Sequence, residues 1–184
     1  MNAPRPLAVR ARMKADRFAA HVGVRLVEVN PGYARATLRL KPHHLNGVGV
    51  TQGGAIFTLA DLAFAAASNS HGTVAVALDV AITFARAVVR GTLTAEAHEV
   101  SMSRKVSICE VCVTDFEGVV ALFHGTAYRL SDPAQSLRNL EGSATGRGKG
   151  RRVTRRPQGE RAHRVRLPGR ERGSGSQRRP TRRR

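Results

Sequence analysis

The chain has 184 residues and is 41% hydrophobic, which suits one domain with a sizeable core. Its net charge of +18 is uneven, because residues 1–130 carry +5 and residues 131–184 carry +13. The N-terminal 20 residues lack the apolar core of a secretory signal. The longest apolar run, residues 54–67, is shorter than the roughly 20 residues that cross a bilayer. We therefore expect no membrane association and a soluble, cytoplasmic protein.

The first predicted elements are a helix and a β-hairpin. Residues 1–20 form a predicted N-terminal helical segment, because Pro6 to Ala20 mixes apolar residues with Arg and Lys in the manner of an amphipathic helix. Val22 to Val29 predicts a strand that a turn follows. From Tyr33 to Leu40 apolar and polar residues alternate strictly, which predicts a half-buried antiparallel strand.

The next predicted element is a buried helix that carries one carboxylate. Between Gly54 and Ala67 the only polar side chains are Thr58 and Asp61. A helix that is apolar all round is normally buried, and an ionised carboxylate there is costly unless it finds partners or shifts its pKa. The pair Gly53-Gly54 leaves backbone N–H groups at the helix start that could hold negative charge. This pattern indicates a catalytic carboxylate and an anion pocket, or a core helix in which hydrogen bonds satisfy Asp61.

Four β-rich runs follow the helix. They are Val74–Ala87, Thr92–Met102, Lys105–Phe116 and Val119–Leu130. Two early strands, one buried helix and several late strands predict an α+β fold with an antiparallel sheet.

The C-terminal residues 133–184 predict a disordered tail rich in Arg, Gly and Pro. From Glu141 to Arg184 only five residues are hydrophobic, so no core can form. An Arg-rich tail can bind nucleic acid through phosphates, although this one lacks the aromatic residues that stack on bases. The same composition would also arise from GC-rich DNA translated in a shifted reading frame.

A motif around the helix resembles the signature of hotdog-fold acyl-CoA thioesterases, in particular the PaaI-type (phenylacetyl-CoA thioesterase) group. It comprises Asn46, then Gln52-Gly53-Gly54, then Thr58-Leu59-Ala60-Asp61, and the likeness extends over about residues 15–130. The resemblance implies a hotdog fold over residues 21–132, with the sheet wrapped around a central helix. It also implies a homo-oligomer, a dimer and probably a tetramer, whose sites each combine residues of two chains.

The resemblance implies a function in phenylacetate degradation. The reaction would hydrolyse acyl-CoA thioesters with phenylacetyl, hydroxyphenylacetyl or medium-chain acyl groups. Asp61 would act as general base or nucleophile, and the N–H of Gly53 or Gly54 would hold the oxyanion. Asn46 and Gln52 would orient the thioester or water. The family usually has histidine at position 52, and glutamine can form hydrogen bonds but cannot shuttle protons.

Other polar residues give weaker signals. Arg86, Arg104 and Lys105 could contact the phosphates of CoA, or could simply be solvated charges. Cys109 and Cys112 are three residues apart on a predicted strand and therefore point to opposite faces, which argues against a redox or metal site. Residues 43 and 44 are adjacent histidines that we expect in a solvated loop. No metal and no cofactor is expected.

Two other functions remain open. A hotdog hydratase or dehydratase acting on hydroxyacyl thioesters would need a paired histidine and acid, and Gln52 occupies the obvious histidine position. A non-catalytic scaffold could bind acyl-CoA, or nucleic acid through its tail.

Overall fold

The computed structural model describes residues 5–130, so the predicted tail at 133–184 and residues 1–4 lie outside the described part. The elements are α1 (Arg5–Lys14), α2 (Arg17–Val22), β1 (Arg25–Asn30), β2 (Tyr33–Arg39), α3 (Gly53–Ser68), β3 (Ala75–Phe84), β4 (Thr92–Met102), β5 (Val106–Asp115) and β6 (Gly118–Arg129).

The N-terminal segment forms two helices where the sequence analysis predicts one. Asp16 separates them, because its carboxylate accepts the backbone N–H of Ala19 at 2.9 Å and caps α2. Gly23 ends α2 with a φ of 91°, a left-handed conformation that favours glycine. The first strand therefore begins at Arg25, and Val22 is the last residue of α2.

The sheet has six strands in the order β1-β2-β4-β5-β6-β3, and every neighbouring pair is antiparallel. The α3 helix lies on one face of this sheet and contacts all six strands. Ala34, Ala36 and Leu38 of β2 are fully buried beneath it, as the alternating pattern predicts. The antiparallel sheet and its central helix confirm the predicted α+β fold.

The edge strand β3 exposes apolar side chains. Val76, Leu78 and Phe84 are 42%, 61% and 50% exposed, and the outer side of β3 pairs with no strand within residues 5–130. The strand ends at Phe84, earlier than predicted, because the N–H groups of Ala85 and Arg86 both bond to the carbonyl of Val120. An exposed apolar edge is well suited to pairing with another chain.

No helix within the described residues 5–130 has the length and apolar character needed to cross a membrane.

Candidate active site

The start of α3 has one free backbone donor. Gln52 is the N-cap residue, and its side-chain oxygen accepts the N–H of Gly54. Within the described residues, the N–H of Gly53 bonds to no acceptor. Of the two donors that the sequence predicts for an oxyanion, Gly54 is therefore occupied and Gly53 is open.

Gly53 also packs closely against the edge strand. A Cβ atom at this position would lie 3.0 Å from Cζ of Phe84, closer than side chains normally approach. The two residues line a cleft of about 290 Å³ together with Ile56 and Val88. Glycine at position 53 thus gives the ring of Phe84 room beside the open amide.

The loop before α3 is fixed by its own polar groups. The side-chain oxygen of Asn46 accepts the N–H groups of Val48 at 3.0 Å and Val50 at 3.3 Å. Thr51 donates its hydroxyl to the carbonyl of Val88 at 2.6 Å. The Nδ2 amide group of Asn46 bonds to no acceptor within the described residues, so it can donate to a ligand.

His44 does not lie in a solvated loop, and that prediction was wrong for this residue. Its ring is buried in a short 3-10 turn, Pro42–His44. Nδ1 accepts the N–H of Lys41 at 3.0 Å, which assigns the ring proton to Nε2, 2.8 Å from the carbonyl of Val22. His44 therefore joins the loop to α2, and no set of three metal-binding side chains occurs within residues 5–130.

Asp61 is half-buried in the middle of α3. Its carboxylate forms no hydrogen bond and no ion pair with any of the described residues. Burial raises the pKa of Asp61 above its usual value, and the negative charge of Asp16 raises it further. The alternative in which hydrogen bonds satisfy this carboxylate is not observed, and an unpartnered carboxylate of raised pKa suits a general base.

Gly53 and Asp61 are separated along a single helix. Eight residues at 1.5 Å each place them about 12 Å apart along the axis. A reacting carbonyl must lie about 3 Å from its oxyanion donor, with the attacking group at a similar distance. One chain therefore brings Gln52 and Gly53 together but holds Asp61 too far away to act on the same carbonyl.

The cationic residues that the sequence suggests for phosphate binding do not converge. Arg86 forms ion pairs with Asp115 and, at 3.0 Å, with Glu117, so its charge is already balanced. Arg104 and Lys105 lie together in the β4–β5 hairpin, where the Lys105 ammonium stands 5.2 Å from the centre of the Tyr128 ring.

Neither cysteine forms a disulfide. Cys109 is fully buried, and burial raises its pKa to about 11. Cys112 is less buried and both thiols are free, in line with the prediction that the two side chains point to opposite faces.

A larger cleft that the sequence analysis missed opens beside the helix start. It has a volume of about 840 Å³, and Gln52 and Gly54 line it together with Phe18, Val22 and Phe57. Phe18 is 67% exposed although it is apolar. The sequence shows Phe18 as an aromatic residue on a basic helix, which could have indicated an apolar binding surface. Its position beside α3, however, depends on the tertiary fold.

The sequence and the fold are similar to those of several known proteins. The profile described as thioesterase superfamily matches residues 48–122. A candidate esterase of Archaeoglobus fulgidus is 41% identical over 121 residues, which cover 65% of this chain and 79% of that protein. The acyl-coenzyme A thioesterase PaaI of Escherichia coli is 34% identical over 122 residues, or 65% of this chain and 87% of that protein.

A solved structure gives the same result for the fold. The PaaI protein from the phenylacetic acid degradation operon of E. coli superposes with a TM-score of 0.66 at 32% identity, covering 69% of this chain and 94% of that one.

Proposed function

This chain belongs to the PaaI-type hotdog-fold thioesterases, and on that premise we propose that it hydrolyses acyl-CoA thioesters to a free acid and CoA. The observation that carries the proposal is that α3 has two polar groups without a hydrogen-bond partner among the described residues. One is the open N–H of Gly53, and the other is the half-buried carboxylate of Asp61. An oxyanion donor and a base of raised pKa are what thioester hydrolysis needs.

The proposed reaction begins when the thioester oxygen accepts the N–H of Gly53. Asp61 removes a proton from water, whose oxygen attacks the carbonyl carbon, and the carbon–sulfur bond breaks to release CoA. Alternatively, the Asp61 carboxylate attacks first and water hydrolyses the resulting anhydride. In the first route Asp61 passes the proton taken from water to the departing CoA sulfur. In the second route the CoA thiolate leaves before water attacks and takes a proton from solvent, and hydrolysis of the anhydride returns a proton to solvent and restores the Asp61 carboxylate.

We propose that each site combines Asp61 of one chain with Gly53 of a second chain. The separation of about 12 Å within one chain supports this arrangement, because the two groups of one chain cannot both reach the carbonyl of one bound thioester. The exposed apolar edge strand β3 supports a homodimer, since it ends at Phe84 beside Gly53. A tetramer and a cytoplasmic location remain predictions from the sequence.

Asn46 and Gln52 are proposed to orient the reactants. Their side-chain oxygens are engaged by backbone N–H groups, so only their NH₂ groups remain to donate to the thioester or the water. Gln52 would polarise a carbonyl but would not transfer a proton.

The 840 Å³ cleft is the proposed acyl pocket. It adjoins Gln52 and Gly54, and its apolar walls include the rings of Phe18 and Phe57. These walls favour phenylacetyl, hydroxyphenylacetyl or medium-chain acyl groups over very small ones.

Release of free thiol from a panel of aromatic, branched, medium- and long-chain acyl-CoA thioesters tests the proposal. We expect turnover with aromatic or medium-chain members. Absence of thiol release from the whole panel would reject it, and hydration of an enoyl-CoA without thiol release would support the hydratase alternative instead.

Mixing two inactive variants tests the shared site. Asp61→Asn and Gly53→Pro chains should regain activity when they are unfolded and refolded together, because each mixed dimer contains one intact site. Recovery no greater than the sum of the separate variants would show that both groups act from the same chain.

A further inference from the structure

The proposed acyl pocket has a polar side that the proposed reaction does not use. The 840 Å³ cleft is lined by His21 and His43 as well as by Gln52 and Gly54. Both imidazoles are exposed to solvent, and neither forms a hydrogen bond with any of the described residues. No Asp or Glu within residues 5–130 lines the cleft. The charges that its described walls can carry are therefore all positive.

Two hydrogen bonds bring these imidazoles to the same cleft. Nε2 of His44 donates to the carbonyl of Val22 at 2.8 Å, which joins the loop before α3 to the end of α2. His43 and His21 immediately precede these two residues in the sequence. The N–H of Gln52 donates to the carbonyl of His44 at 2.8 Å, so the same loop is also bonded to the N-cap of α3. The histidine rim, defined as His21 and His43, is thus held close to the proposed thioester site.

The electrostatics of the histidine rim favour a negative charge in the cleft. Partial desolvation lowers the pKa of His43 below its usual value, and the cationic forms of His44, Lys41 and His21 lower it further. The rings of His43 and His44 are edge-on, with 4.2 Å between their centres. These groups belong to the loop and to α2, whereas α3 contributes no charged side chain to the cleft. An anion in the cleft would offset the repulsion among these cations and favour the protonated rings.

We propose that the histidine rim binds a carboxylate at the far end of the acyl group, so that the preferred substrates are CoA monothioesters of dicarboxylic acids. The inference rests on the proposed function for the reaction itself. The rings of Phe18 and Phe57 would pack against the apolar middle of such an acyl group, whose two ends are both polar. A protonated imidazole donates a charge-assisted hydrogen bond to a carboxylate. A neutral acyl group of the same length has no such partner for the rim.

Pairs of substrates that differ only in the terminal group test the proposal. Adipoyl-CoA and suberoyl-CoA carry the carboxylate, and hexanoyl-CoA and octanoyl-CoA have the same chain lengths without it. In at least one pair we expect kcat/KM to be about 10-fold higher for the carboxylate substrate, the effect of one charge-assisted hydrogen bond. Equal or lower kcat/KM for the carboxylate substrate in both pairs would overturn the proposal.

Substitutions in the histidine rim assign the preference to these side chains. His43→Gln and His21→Gln keep a hydrogen-bonding side chain but cannot carry a charge. Each should raise KM for the carboxylate substrate several-fold more than KM for its neutral partner, and both residues are exposed, so the variants should fold. His124→Gln, at an exposed histidine of β6, is the matched control and should leave the preference unchanged. Equal changes for the two substrates in both rim variants would contradict the proposal.

The pH dependence of the preference is a readout that a structural role would not move. The ratio of kcat/KM for the two members of a pair should rise as pH falls from about 8 to 5, where histidine gains its proton and a carboxylate stays ionised. Asp61 acts on both substrates, so its titration cancels in the ratio. The rise should disappear when His21 and His43 are both replaced by glutamine. A ratio that is independent of pH in the wild type would contradict the proposal.

Binding of inert analogues keeps this test separate from the proposed function. CoA thioethers with carboxyalkyl or alkyl chains have no carbonyl to hydrolyse, and calorimetry measures their affinities. If the wild-type protein hydrolyses no thioester, the proposed function fails, yet tighter binding of the carboxyalkyl thioether that both rim variants weaken would still support the histidine rim. Equal affinities for the two thioethers, or a preference that survives the double substitution, would overturn it.

Discussion

The side-chain oxygen of Gln52 accepts the backbone N–H of Gly54 at the first turn of α3. This hydrogen bond caps the helix and uses one of the two amides that could hold an oxyanion. Among the described residues Gly53 is left as the single open donor of the pair. Gln52, which occupies the other donor, stands at the position where the family usually has histidine.

Substitutions of Gln52 separate capping from catalysis. Gln52→Ala should lower the free energy of unfolding by about 1 kcal/mol, because the cap is lost. Gln52→His should fold and retain equal or higher thioesterase activity. Chemical denaturation and thiol release measure the two effects, and a tenfold loss of activity in a folded Gln52→His protein would show that glutamine is a specific adaptation.

Gly53→Pro removes the proposed oxyanion donor itself. Proline suits the first position of a helix, and the φ of −64° and ψ of 130° at Gln52 suit a residue that precedes proline. We expect kcat to fall on the order of 100- to 1000-fold. Gly53→Ala is the matched control, since it meets the same ring of Phe84 but keeps its N–H. Equal losses in both variants would assign the effect to crowding by Phe84.

The pH dependence of kcat/KM should report Asp61. Only the ionised carboxylate acts as base or nucleophile, so activity should rise with pH through the raised pKa of Asp61, above the usual range for aspartate. Asp16→Asn keeps an N-cap for α2 but removes the charge that contributes to this shift. It should move the acidic limb of the profile to lower pH, and an unmoved limb would contradict the link between the two carboxylates.

Asp61 should also destabilise the fold at neutral pH. Its pKa is higher in the folded than in the unfolded state, so the folded chain binds the proton more tightly and stability falls as pH rises through that window. Asp61→Asn should therefore raise the thermal transition at pH 7 and change it little below pH 3, where both states carry the proton. A lower transition at pH 7 would show that the carboxylate has a stabilising partner.

The basic tail is expected to be dispensable. A chain that ends after Gln135 should keep the thermal transition and thioesterase kinetics of the full chain and should lose any salt-sensitive binding to nucleic acid. Loss of the folded oligomer would contradict this boundary. The intact mass of the natural protein tests the shifted-frame origin, which a full-length mass would reject.

The sequence predicts those parts of the fold that depend on long regular patterns. The β4 strand has the predicted bounds, and α3 extends one residue beyond the predicted apolar run at each end. The features that the sequence analysis did not predict depend on tertiary contacts. His44 is buried because its ring bonds to the carbonyl of Val22, 22 residues away in the chain. The β3 strand ends early because the N–H groups of Ala85 and Arg86 both bond to the carbonyl of Val120 in β6. The resemblance predicts Asp61 and Gly53 as site residues, whereas the hydrogen bond by which Gln52 caps α3 is visible only in three dimensions.

The most direct test of the account is the rate of thiol release by Asp61→Asn beside the wild type, on the best acyl-CoA of the panel. The amide has nearly the shape of the carboxylate but can act neither as base nor as nucleophile. We predict that turnover falls at least about 100-fold, the lower range for losing a general base, while the protein still folds with a thermal transition no lower than that of the wild type. Near-normal turnover by the folded variant would remove Asp61 from the chemistry and contradict the proposed mechanism.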